Sequence, residues 1–261
     1  MRTLAERRVA ISRSGRNTPV GSLKDLIFGV TEALDFCEIA RAFKSEAPGT
    51  ITPKLERALK GPAHPANETP TNADGRNTMF ELSLAAEWRL LGLNVEIGDP
   101  DITLVLDQTP FMLECKRPFQ LQGIRRNIRR AGEQLRRKLQ KNTSAFGVIC
   151  ISADRVFNPG KAVFKCSRRE DFHQLGRWLR RLMSTHEPAW KKTNFHERIV
   201  AIVFHLATPG DIITDPFHYY RMAYILIGSI GEEGEPFRLF MRTLGKYYEA
   251  EPHRRELDML A

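Results

Sequence analysis

The stretch "GDPDITLVLDQTPFMLECK", residues 98–116, carries the side chains in this chain best suited to chemistry: Asp101, Glu114 and Lys116. On a strand, residues two apart point to one side. Glu114 and Lys116 therefore project together from the end of "FMLECK", while Leu113 and Cys115 face the other way. Asp101 opens the preceding apolar run. A tight "QTP" turn between the runs predicts a hairpin, which brings the start of the first strand beside the end of the second. Two carboxylates and an ammonium then share one edge of a sheet. Such carboxylates hold a hard cation such as Mg²⁺, with Mn²⁺ as a substitute. A cation so held polarises a phosphodiester and acidifies bound water, and a lysine offsets charge developing on phosphorus.

Elements that position this cluster can be read on both sides of it. "TMFELSLAAEWRLLG" (78–92) predicts a helix ending at Gly92. Strands are expected at 94–98, 101–107 and 111–116. "GIRRNIRRAGEQLRRKLQK" (123–141) predicts a helix with Ile124, Ile128, Ala131, Leu135 and Leu139 along one stripe. "AFGVICISA" (145–153) is continuously apolar, the mark of a strand buried on both faces. Further on, a helix is expected around 170–186, strands at 198–207 and 222–230, and a helical tail from Phe237. Upstream, residues 1–20 read as a basic arm, 22–44 and 53–59 as helices, and the Gly/Pro/Asn-rich 61–77 as a linker. Helices interleaved with strands indicate an α/β protein.

These residues resemble the PD-(D/E)xK, or restriction-endonuclease-like, nuclease superfamily. "DPDI" matches its first acidic motif at Asp101, and "ECK" its (D/E)xK element at Glu114 and Lys116. "FELSLAAEWRLLGLNV" is similar to its first core helix, with Glu81 in the place of the helical acid. Gln134 stands where several branches carry a glutamine in the second core helix. The resemblance covers residues 78–153. It implies an αβββαβ core with a mixed central sheet flanked by helices, here within residues 71–261, behind a helical extension in residues 1–70. It also implies a Mg²⁺-dependent deoxyribonuclease, an endonuclease leaving a 5′-phosphate, in restriction, phage defence or repair. Asp101, Glu114 and the backbone carbonyl of Cys115 would hold the metal. Lys116 would position water, and Glu81 would orient waters or a second metal.

Charge agrees with a polyanionic partner. The 261 residues carry a formal net charge of +9, which favours nucleic acid through counterion release. Arg125, Arg126, Arg129, Arg130 and Arg137, with Gln134, are the candidate backbone contacts on the 123–141 helix, where Glu133 is the single acid. A solvated basic face is the alternative for that helix. The alternative for Glu114–Lys116 is an exposed ion pair, and for Asp101 a turn residue, with Asp99 as its competitor. Glu81 has two readings, since Thr78-x-x-Glu81 also spells a capping box; Glu87 is the fallback acid. Four cysteines without metal-ligand spacing, no apolar run of spanning length and no apolar leader predict a cytoplasmic protein off the membrane. A second copy or a protein partner could dock through the N-terminal extension. The rival functions are a non-catalytic nucleic-acid-binding protein on the same fold and a ribonuclease.

Overall fold

The computed structural model describes residues 23–62, 64–99, 101–166, 171, 173–212, 219–249 and 254–256. The basic arm lies outside them. Helices α1 (Leu23–Ala42), α2 (Pro48–Leu59) and α3 (Asp74–Leu90) precede three strands, β1 (Asn94–Ile97), β2 (Ile102–Leu106) and β3 (Thr109–Lys116). Helix α4 (Ile124–Lys141) leads to β4 (Phe146–Ser152). Then follow α5 (Asp154–Phe157), β5 (Phe164–Cys166), α6 (His173–His186), α7 (Pro188–Lys191), β6 (Ile199–Ile212), β7 (Tyr219–Ser229), α8 (Glu235–Glu249) and β8 (Arg254–Glu256).

The strands form one mixed sheet in the order β1-β2-β3-β4-β6-β7-β8, with β5 also paired to β6. The first three make an antiparallel meander. β3 and β4 pair in parallel, as do β4 and β6, and a parallel pair requires a crossover, here α4. The β2–β3 turn consists of Asp107 and Gln108, both with positive φ (44° and 65°). That is the type I′ geometry whose twist suits a two-residue hairpin, so the turn falls one residue earlier than "QTP". Gly92, at φ 87°, ends α3 in the left-handed conformation expected of it.

Two apolar layers enclose the sheet. On one side Leu113, Cys115, Val148 and Cys150 pack with Leu82, Ala85 and Trp88 of α3 and with Phe240 of α8. Ile39 and Phe43 of α1 and Ile51 and Ala58 of α2 belong to the same cluster. On the other side Ile149 and Ile151 meet the α4 stripe and Leu175 and Leu179 of α6. The fold is thus α/β with a mixed sheet flanked by helices.

The segment expected to be a linker, 61–77, is tied to the rest of the protein at several points. Its last residues form the first turn of α3, which begins at Asp74. Gly75 lies so close to α2 that a Cβ would come within 2.4 Å of the Gly61 nitrogen. Arg76 donates to the Pro62 carbonyl and to Glu32 of α1. Glu68, 4% exposed, is ion-paired with Arg117 and Arg155. Gly, Asn and Asp signal turns locally, and here tertiary contacts outweigh that preference.

The Gly75 contact is backbone against backbone, with little room to yield. Gly75→Ala is expected to destabilise the protein by about 1–3 kcal/mol through overpacking, read as a lower denaturant midpoint. Gly29→Ala on α1, where a Cβ meets nothing within 4 Å, should be neutral or stabilising by up to about 1 kcal/mol.

Candidate active site

The β2–β3 register pairs Ile102 with Leu113, so the next rung sets Asp101 against Glu114. Asp101 extends that rung with its side chain: Oδ2 accepts the backbone N–H of Cys115 at 2.8 Å. The acid is thereby held in the line of the β2–β3 ladder, beside the last residues of β3. Asp99, the competitor, has a side chain 86% exposed and reaches only Lys138, at 2.5 Å.

Glu114 and Lys116 project to the α4 side, as strand alternation requires. Glu114 is fully buried. Lys116 Nζ donates to Glu114 Oε2 at 3.2 Å and to the Cys115 carbonyl at 3.0 Å. Lys138 of α4 holds Glu114 Oε1. Burial opposes the charge on Lys138, but its bonds to Asp99 and Glu114 outweigh burial and raise its pKa. It is an ammonium at neutral pH. The exposed-ion-pair alternative for Glu114–Lys116 therefore does not describe a carboxylate with no solvent contact; an unpaired buried charge here would cost several kcal/mol, on the order of 3–5.

Glu81 approaches from α3 on the opposite layer. Because α3 starts at Asp74, Thr78 lies inside the helix and donates to the Asp74 carbonyl. The capping-box reading of Glu81 therefore fails. Its carboxylate instead pairs with Lys54 of α2 at 3.1 Å, and the same ammonium lies 3.5 Å from the Asp101 carbonyl. Burial first, then the charge of Asp101, raise the Glu81 pKa above the usual glutamate range; Lys54 and Lys116 partly offset this. The four predicted residues thus belong to one electrostatic network. The Cys115 thiol, pushed well up by burial, by Cys150 and by Asp101 and Glu81, stays protonated. Its backbone alone can serve the site.

Glu87, the fallback acid, belongs elsewhere. It is 3% exposed and lies 3.8 Å from His205 Nε2, with Asp154 at 3.7 Å from Nδ1. Burial disfavours the imidazolium, but Asp154 and Glu87 outweigh it and raise the His205 pKa to about 9.

Helix α4 borders the site on its exposed side. Lys116, Arg130, Glu133, Gln134 and Arg137 line a hollow of about 360 Å³. At about 100° per residue, Arg126 and Lys141 share the face of Arg130 and Arg137. Arg125 and Arg129 point to the flank away from Glu114. The sequence did not assign two contributors to the site. Lys138, one of the basic residues of the 123–141 helix, stands four residues beyond Gln134, a spacing that puts it on the site flank. Lys54 offered no such signal, because only tertiary packing of α2 brings it to Glu81. Among the described residues, no three His, Cys, Asp or Glu side chains gather as a metal centre, and no helix is long and apolar enough to cross a membrane. No protein-family model, curated protein or solved structure matches the chain.

Two outcomes are expected. Lys54→Met removes an attraction that lowers the Glu81 pKa, so the Glu81 carboxyl resonance, followed by carbon NMR, should titrate at higher pH than in wild type; an unchanged midpoint would refute the pairing. His205 holds its proton more tightly folded than unfolded. Its contribution to stability is full below about pH 6.5 and is lost as pH rises through about 9. Thermal midpoints of wild type should fall across that window, and those of His205→Gln should fall less.

Proposed function

We propose that this protein is a metal-dependent nuclease of the restriction-endonuclease-like kind, hydrolysing DNA phosphodiester bonds. The observation that carries the proposal is the Asp101–Cys115–Glu114–Lys116 network at the end of β3, reached from α3 by Glu81 and bordered by the Arg130–Gln134–Arg137 hollow. The run of elements α3, β1, β2, β3, α4, β4 and the parallel β3–β4 pairing support it.

The donor set suits a hard divalent ion. Glu114 Oε2 and the Cys115 carbonyl already converge on one cation, the Lys116 ammonium, and all donors are oxygens. Asp101 is fixed next to Cys115 by the bond from the Cys115 amide to Oδ2. Asp101, Glu114 and the Cys115 carbonyl would hold Mg²⁺ or Mn²⁺, which when bound supplies Lewis acidity toward the phosphate and its attacking water. Lys116 holds and orients that water and stabilises charge developing on the phosphoryl oxygens. The water oxygen bonds to phosphorus as the bond to the 3′ oxygen breaks; the water gives up one proton to solvent and the 3′ oxygen takes one from solvent, leaving a 3′ hydroxyl and a 5′-phosphate. Glu81, whose pKa burial and the charge of Asp101 raise above the usual glutamate range, would orient waters or a second metal. The arginines beside Gln134 hold flanking phosphates.

A second reading has its own support. Lys116 and Lys138 each hold one oxygen of Glu114, so the network is balanced without a divalent ion, as a non-catalytic nucleic-acid-binding protein would need. A ribonuclease would keep the same cluster.

The test is incubation of purified protein with plasmid, linear and single-stranded DNA, and with RNA, in Mg²⁺ or Mn²⁺. Wild type should cleave DNA. Lys116→Ala should lose about 10²–10³-fold in rate, with circular dichroism showing that the fold is kept. Wild type and Lys116→Ala behaving alike on every substrate would refute the assignment. Metal-independent binding without cleavage, unchanged in Glu114→Gln, would establish the second reading.

A further inference from the structure

We infer that the nucleic acid engaged by this protein is a duplex, held by a second row of phosphate contacts on α6, so that the outer surfaces of α4 and α6 form one face leading away from Lys116. The identity of the polyanion as nucleic acid rests on the nuclease reading above.

Both helices cover the same side of the sheet, in a common apolar cluster. Going round α4 from Lys138, which touches Glu114, the side chains run through Gln134 to Arg130 and Arg137, then Arg126, then Arg129, Arg136 and Arg125, at about 100° per residue. α4 packs against α7, which follows α6 directly, so the C-terminal end of α6 comes beside α4. The charge of Arg125 reaches His186, the final residue of α6, whose pKa is lowered by burial first and by that arginine second. On α6, Leu175, Gly176, Leu179 and Leu182 are buried. Arg177, Arg180 and Arg181 occupy the opposite face and are exposed. Basic charge therefore continues from the site, around α4, onto α6.

Few acids offset this charge. Glu133 is the only carboxylate on α4, and α6 has none. None of the six arginines of α4 or the three of α6 forms an ion pair among the described residues. Solvated faces of ordinary proteins intersperse both signs. A predominantly positive field spread across two helices suits a ligand bearing negative charge in two dimensions. A single strand presents one line of phosphates, whereas a duplex presents two. With 18 residues at 1.5 Å rise, α4 is about 27 Å long, room for several phosphates of each strand.

The experiment is fluorescence anisotropy with a labelled 30-base-pair duplex and the corresponding single strand, in EDTA, between 50 and 200 mM NaCl. The variant is Arg177→Ser/Arg180→Ser/Arg181→Ser, at exposed positions that leave the core intact. Its duplex affinity should drop at least about tenfold, and the slope of log K against log salt should shrink by about 2–3, near 0.9 per lost phosphate contact. Single-strand binding should change much less. Unchanged duplex affinity and slope would overturn the inference, as would an equal loss on single strands. Loss confined to phosphatidylserine vesicles, used as a parallel probe, would overturn it too and point to a membrane surface. Wild type that binds in the expected pattern but cleaves nothing contradicts the nuclease chemistry alone. Wild type that cleaves while the triple variant binds equally well contradicts the α6 face alone.

Discussion

One hydrogen bond organises the site: the Cys115 amide donating to the Asp101 carboxylate at 2.8 Å. It continues the β2–β3 ladder one rung past the last paired residues, using a side chain where a backbone carbonyl would otherwise stand. Because the donor is a main-chain group fixed by the sheet, the acid cannot drift with rotamer freedom. A charge-assisted bond of this kind is roughly twice as strong as a neutral one. The rest of the cluster is arranged relative to that fixed point.

Burying Glu114 completely creates a second constraint. A carboxylate inside a sheet must be matched by cations, and they come from β3 itself and from α4. Lys54, from α2, does the same for Glu81. The ion pairs therefore tie the N-terminal helices, both layers and the sheet to one place. Four carboxylates at positions 81, 99, 101 and 114 face three ammoniums at 54, 116 and 138. That near balance keeps the acids ionisable without a strongly repulsive interior, and it leaves the site slightly anionic against a basic surround. Outside it, the arginines of α4 and α6, which form no ion pair among the described residues, would attract a polyanion from a distance.

Much of this was legible in the sequence, for physical reasons. The α4 stripe, the alternation that separates Glu114 and Lys116 from Cys115, and the doubly buried β4 follow from periods of 3.6 and 2 residues. Gly92 stopped α3 because it alone tolerates the left-handed φ cheaply. What stayed hidden depended on contacts between distant segments. The start of α3 was placed four residues late because Asp74, Gly75 and Asn77 look like turn formers, while their helical state is fixed by packing on α2. That misplacement created the false capping box at Thr78. Lys54 was invisible because no local pattern relates α2 to β2. The charge of His205 has no local signal, because it is set by Glu87 and Asp154, which are 118 and 51 positions away in the chain.

The central claim is that Asp101, Glu114 and the Cys115 carbonyl converge on a single cation. A crystal grown with Mn²⁺ and examined at the manganese absorption edge tests it most directly. One anomalous peak within coordination distance of both carboxylates and that carbonyl, with the Lys116 ammonium displaced from the Cys115 oxygen, is the result expected. A crystal saturated with Mn²⁺ in which the Lys116–Glu114–Lys138 pairing persists and no peak touches Asp101 or Glu114 would contradict it.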